Sequence, residues 1–389
     1  MTSQATAAGE RLTSSAVETS EGFAGLESEW DELLERSRSR SVFLAWGWLY
    51  PWWGQFGGGR SLKILTVRDE RGRLVGLAPF CVERVGRVAP IRVLSFLGTE
   101  RVSSEYLDVI ADPSLERDVA RAVWDALRSG SDSWDSIRLT DLLEESTLAA
   151  HWTAWAREDG FAVDEERAQV APYLSLPRST EEFRLALGPE TRANLKRKSR
   201  KLERHGAALS VVETPAEVST ALETLFDLHG RRWAARERTG NLAEDRVREF
   251  HRQVAGHLGA RGMIRLYALR LANHAVACLY GFEYKRRFYY YQAGFDPASP
   301  VAGLRGGDYS PGFVLMGHCI EDAISRGLEE FDFLRGPESY KSLWTRSRRE
   351  TRAVTLSPPG RWNALARHAA RRTLRATKRL AKRILKRPA

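Results

Sequence analysis

This 389-residue sequence predicts an α/β fold with mixed sheets, built from two copies of one unit and followed by a basic helix. Three observations carry that reading. Alternating strand pairs at 62–84 and 264–296 are each followed by a helical stretch and a further strand, at 135–142 and 329–336. The strands Leu74–Phe80 and Ala275–Phe282 occupy the same place in that order, at an offset close to 200 residues, so the order reads as an internal duplication. Finally, Trp362, Leu365, Ala369, Ala376, Leu380 and Ile384 recur at helical spacing among Arg and Lys, the pattern of a basic amphipathic helix.

Each element follows in chain order. Residues 1–22 are rich in Ser, Thr and Ala and read as a loose tail. Residues 26–37 form a short amphipathic helix, and 41–57 gather Phe43, Trp46, Trp48, Tyr50, Trp52, Trp53 and Phe56. That aromatic run anchors a core or lines an apolar groove. The hairpin at 62–84 turns at Asp69–Gly72; a strand over Tyr106–Ile110, a helix near 115–129 and a strand from Ser136 follow. Between the copies, Ser179 or Thr180 caps a helix whose body carries Arg192, Lys196, Arg197, Lys198, Arg200, Lys201 and Arg204 and stops at Gly206. Such a face is either solvated or in contact with phosphate. A helix over 217–240 then presents His229, Arg232 and Trp233. The expected division is a tail at 1–22, domains at 23–178 and 179–358, and a helical tail at 359–389.

Composition narrows the function classes. The chain is 43% hydrophobic and 28% charged, as in globular proteins, and has no run of 18 apolar residues. The N-terminus lacks the pattern of a signal peptide, so a cytoplasmic location is expected. Cys81, Cys278 and Cys319 sit in apolar segments without metal-ligand spacing. The net charge of +10 is concentrated: residues 361–389 hold eleven Arg or Lys and no acid, leaving the rest of the chain close to neutral. A polyanion or anionic membrane is therefore a partner for the tail, and no specific nucleic acid is expected for the body.

The second copy carries the chemistry. An aromatic strand, 288–296, leads through Gly306 and Gly307 to Ser310-Pro311, which reads as an N-cap followed by a first-turn proline. Phe313, Met316, Ile320 and Ile324 give the helix its buried face, and Gly327 its stop. A helix start after a Gly-rich turn offers N–H groups to a phosphate. The next strand, FDFLRGPESYK at 331–341, ends in Asp332, Arg335, Glu338, Tyr340 and Lys341, an arrangement suited to acid–base and anion-handling work.

LHGRRW (228–233), RANLKRKSRKLER (192–204), YYYQAGFDP (289–297), SPGFVL (310–315) and FDFLRGPESYK together resemble the CelD/BcsL-type branch of the GNAT acyltransferase superfamily. The resemblance spans about 25–355 and extends in fold to the Fem-type transferases, which have tandem GNAT-like domains. It implies an acyl-CoA co-substrate, with its pyrophosphate at Gly306, Gly307, Ser310 and Gly312 and its charge met by Arg335 and Lys341. It implies an amine or hydroxyl acceptor in cell-envelope, exopolysaccharide or lipid synthesis. Glu338 or Asp332 is then the expected base, with His229 in reserve, and Tyr340 the group that protonates the leaving thiolate. No metal is expected. GGDYSPG departs from the usual GNAT phosphate loop, and aminoacyl-tRNA is the alternative donor. A non-catalytic scaffold is the alternative to an enzyme, and a peripheral place on the inner membrane face is expected of the tail.

Overall fold

The computed structural model describes residues 12–99, 101–212, 214–235, 237–298, 309–370 and 373. The first half runs β1 (Thr13–Val17), α1 (Ser20–Ala24), α2 (Glu27–Arg36), α3 (Trp46–Phe56), β2 (Arg60–Arg68), β3 (Leu74–Val85), β4 (Ile91–Phe96), β5 (Ile110–Ala111), α4 (Glu116–Ser129), β6 (Ser136–Leu143), α5 (Thr147–Glu158) and β7 (Ala162–Ser175). The second runs α6 (Thr180–Ala186), α7 (Pro189–Arg204), β8 (Ala208–Val212), α8 (Pro215–Ala234), α9 (Asp245–Gly259), β9 (Ile264–Leu271), β10 (His274–Tyr284), β11 (Arg287–Phe295), α10 (Pro311–Ser325), β12 (Glu330–Asp332) and β13 (Arg348–Ser357). Residues 362–370 are helical, and the rest of the basic tail lies outside the described residues.

One mixed sheet joins both halves in the order β1-β2-β3-β4-β6-β13-β7-β12-β11-β10-β9-β8, with β5 on β3. The boundary expected near residue 178 is therefore not a clean one. The last strand, β13, inserts antiparallel between β6 and β7 of the first half. In turn β7 pairs with β12 of the second. The expected loose start is also corrected: alternating Thr13, Ser15 and Val17 pair with β2, because an edge strand can satisfy its backbone on one side only. Tyr106 is not strand but sits in the left-handed region at φ 58, so only Ile110–Ala111 pair there. The basic stretch is two helices broken before Pro189. The aromatic run at 41–57 is core: Phe43, Trp48 and Trp52 are buried, and Trp48 packs edge-on against Phe250 and Phe282 of the second half.

Each half contains one parallel strand pair that touches briefly and then diverges. β4 and β6 pair only at Val93–Ser136 and Leu94–Ile137. β11 and β12 pair only over Arg287–Tyr289 and Glu330–Asp332. The second divergence has a visible cause. Beyond Asp332 the chain stays bonded to β7, with Phe333 N–H donating to Pro172 O at 3.0 Å and Gly336 N–H to Val170 O at 3.0 Å. β11 instead follows β10, with a bulge at Tyr291. Beyond Tyr289 the edge of β11 facing the gap is thus not laddered to β12.

Candidate active site

The gap between β11 and β12 opens into two cavities. One, about 440 Å³, is walled by Phe295, Pro311, Phe313, Met316, Leu343 and Trp344 and is largely apolar. The other, about 780 Å³, is polar, with Glu105, Gln169, Asn241, Gln292, Arg335 and Glu338 among its walls. Arg232, Tyr290 and Tyr340 line both, so the two spaces meet at those three side chains.

Local packing sets each of the three. α8 lies against β11 at Gly294, where a Cβ would stand 2.5 Å from His229 N, so only glycine permits the approach. That closeness lets Arg232 donate to Ala293 O at 3.0 Å while its guanidinium covers Phe295 at 4.8 Å. Its Nε is buried without a hydrogen-bond partner at this junction. Tyr340, in a 3-10 turn after β12 (Ser339–Leu343), packs edge-on against Tyr290 and hydrogen-bonds to its phenol. Burial, then the neighbouring Tyr290 and Glu338, push the Tyr340 hydroxyl above its ordinary range, so the phenol stays protonated.

The loop that follows Asp332 is strained and held. Leu334 has φ 56 and Gly336 φ 116. Lys341, 3% exposed, donates to Leu334 O at 3.0 Å and Arg335 O at 2.7 Å and pairs with Glu338 at 2.9 Å. Its ammonium is therefore engaged within the loop, and Arg335 is engaged with Asp141 at 3.1 Å. The phosphate-neutralising role expected of both does not follow from this placement. Asp332 is fully buried and lines neither cavity. It accepts from Tyr106 at 3.1 Å and Leu334 N–H at 2.8 Å and faces Arg349 at 3.5 Å. Desolvation raises its pKa to about 6 against the pull of Arg349. His229 is likewise away from both cavities, its Nε2 accepting from Trp233 at 2.9 Å. Burial and the nearby Arg232 and Arg248 lower its pKa to about 4. Glu338 and Tyr340 do reach the cleft.

At the start of α10, Ser310 adopts φ 44 and makes no cap, contrary to the sequence reading; its hydroxyl bonds Lys198 Nζ of α7 at 2.5 Å. Gly312 lines the apolar cavity, and a Cβ there would stand 3.2 Å from the Phe295 ring. Gly306 and Gly307 lie outside the described residues. α7 thus brings its cations to the start of α10, with Arg192, Lys196, Arg200 and Arg204 exposed at four-residue spacing. The sequence reading missed Glu105. It belongs to the first half and is 1% exposed, yet it lines the polar cavity. No motif marks it. Among the described residues, no group of His, Cys, Asp or Glu is placed to hold a metal, and no helix is long and apolar enough to cross a membrane.

Residues 189–342 match the family described as acetyltransferase (GNAT) domain. No curated protein matches the chain in sequence. Among solved structures, FemX aligns over 84% of this chain and 95% of its own, at 10% identity and a TM-score of 0.58. The C-terminal (DUF2156) domain of a protein described as a lysylphosphatidylglycerol synthetase from Agrobacterium fabrum aligns over 90% and 96%, at 13% identity and 0.54. L-PGS from Bacillus licheniformis aligns over 86% and 92%, at 11% identity and 0.52. These likenesses are of fold. The chain carries a GNAT-type domain, and the protein is an acyltransferase.

Proposed function

We propose that this cleft transfers an acyl group from a CoA thioester to an amine or hydroxyl of a polar acceptor. The meeting of an apolar and a polar cavity at Arg232, Tyr290 and Tyr340 carries the reading, because acyl transfer needs a thioester arm and an acceptor to arrive from opposite sides of one carbonyl. The free edge of β11 suits the two amides of a pantetheine arm, and the start of α10 with Lys198 suits its pyrophosphate. At the junction, Arg232 faces the charge that develops on the carbonyl oxygen, and the protonated Tyr340 donates to the departing sulfur. The residues of the polar cavity, amides and carboxylates beside Trp233, fit a sugar amine or a lipid headgroup of the cell envelope.

A second donor reading rests on the exposed cations of α7, which run from the donor end of the cleft and fit an aminoacyl-tRNA. Thermal shift and native mass spectrometry with acetyl-CoA, a long-chain acyl-CoA and an aminoacyl-tRNA separate the two. Stabilisation by a CoA thioester, with thiol release once an acceptor is added, is expected. Stabilisation by aminoacyl-tRNA alone would replace the donor, and no response to any of them would remove the proposal. The basic tail adds a place of work: an anionic membrane surface, where each cation contributes about 1 kcal/mol. Salt-sensitive pelleting with anionic vesicles, lost on truncation after Pro359, is the expected result; equal pelleting of both chains counts against it.

A further inference from the structure

We propose that Glu105, supplied by the N-terminal half, is the general base of the C-terminal cleft, and that it takes the acceptor's proton through a water at the cavity wall. The inference rests on the acyl-transfer reading above and adds the group that reading lacks. Among the described carboxylates near the junction, Glu338 is half exposed to solvent and held by Lys341 at 2.9 Å. Asp332 lines neither cavity. Glu105 lines the polar cavity, and its side chain is almost wholly withdrawn from bulk water.

The chain around Glu105 is fixed as a base requires. Ser103 and Tyr106 both occupy the left-handed region, at φ 52 and 58, on either side of it. Backbone strain of this kind persists only where surrounding contacts impose it. Those contacts are present. Val102 O accepts from Tyr291 at 2.6 Å, Ser104 Oγ from the Trp48 indole at 2.8 Å, and Glu105 O from Ser41 at 3.0 Å. The carboxylate itself accepts the Arg335 backbone N–H at 2.9 and 2.8 Å, while the Arg335 guanidinium stands 3.6 Å away and is shared with Asp141. The groups that face it are therefore one shared cation (Arg335), the carboxylates Asp332 and Asp141, and the phenols Tyr106 and Tyr291. Burial outweighs Arg335, and the two carboxylates add to it, so the pKa rises to about 8. With its pKa there, Glu105 is mostly protonated at neutral pH and becomes a base as pH rises through about 8.

The step balances as follows. A proton leaves the acceptor ammonium for Glu105, and the freed nitrogen lone pair forms the N–C bond to the thioester carbonyl. The bonded nitrogen gives its second proton to solvent as the C–S bond breaks with its electron pair on sulfur, which takes a proton from Tyr340; Tyr340 regains one from solvent. Glu105 then returns its proton to solvent.

The test uses the full chain, acetyl-CoA and a panel of amines, glucosamine among them, with thiol release read across pH 6–10. Wild type is expected to lose kcat/KM as pH falls below about 8, where Glu105 gains its proton. E105Q is expected to lower kcat by about 10²–10⁴-fold and to abolish that limb, leaving donor KM unchanged. E105D is expected to retain the limb at a lower rate, which a merely structural role would not produce. A carboxyl with a raised folded pKa loses stability as pH rises from its unfolded value through 8, so E105Q should melt no lower than wild type at pH 8. If E105Q does not fold, the rate and limb of E105D decide. Near-normal turnover in E105Q, or a limb that stays in place and so belongs to the amine, overturns the inference while leaving the acyltransferase intact. Absence of thiol release by wild type with every amine would count against the acyl-CoA reading itself.

Discussion

The two diverging strand pairs share a geometry and differ in what occupies it. In the first half, the segment after β4 returns to pair with β3 through β5, burying Leu107 and Ile110 fully and Tyr106 almost fully. A cavity of about 380 Å³ beside that segment is bordered by Asp108, Glu116 and Glu145 and by Arg38, Arg40 and Arg287, with Arg38 paired to Glu116 at 3.2 Å. α4 begins with Glu116 and Asp118, carboxylates that repel a phosphate at that helix start. In the second half, α10 begins without an acid, Lys198 reaches Ser310 just before it, and the gap stays open along β11. The first copy thus packs its own chain where the second stays open. It sends Glu105 to the second copy's cleft instead, and Asp141 to the Arg335 that lines it.

Substitutions that act on one half through the other bring out this contrast. The largest effect is expected at Arg349, which β13 carries between the halves. It pairs with Glu330 at 2.6 Å, faces Asp332 at 3.5 Å and stacks 4.1 Å from the Tyr173 ring. Arg349→Met leaves the fully buried Asp332 without its cation, while Glu330 keeps Arg287 at 3.3 Å, and should lower stability by about 3–5 kcal/mol in denaturant titration. A loss below 1 kcal/mol would show that the inserted strand does not join the halves energetically. Next is Tyr340→Phe, which removes the phenol at the junction and should reduce kcat by about 10²-fold with the melting temperature retained. Gly294→Ala pushes a Cβ into the α8 backbone and should cost about 1–3 kcal/mol while raising KM through the displaced Arg232. Lys198→Ala should weaken donor binding about tenfold, equivalent to about 1.4 kcal/mol. The smallest effect is expected in the closed copy, where Glu116→Gln with Asp118→Asn should leave donor affinity unchanged. Any gain would mean that charge alone keeps that gap empty.

Much of the scaffold could be read from residue patterns, and the reasons for the misses are specific. The duplicated order, the helix now seen at Pro311–Ser325 and the hairpins follow from periodicity, which is local. The insertion of β13 is not local: Thr351 meets Leu143 across the sheet, and no run of residues at 348–357 names its neighbours. The charged cluster after β12 was visible as a cluster, but its division of labour was not. Lys341 looked like a free cation, yet the strained turn at Leu334 and Gly336 directs two carbonyls onto it. Ser310 looked like a cap, yet its left-handed backbone turns the hydroxyl to Lys198. Glu105 sits in RVSSEYLD, which has no period, and its partner Arg335 is 230 positions away. Only the folded chain brings that pair together.

The central claim is that the donor enters the second gap and not the first. Hydrogen exchange of the full chain with and without acetyl-CoA tests it most directly. Slowed exchange over 290–298 and 309–316, with 92–98 and 115–120 unchanged, is the predicted result. Protection over 92–98 and 115–120 instead would contradict the account.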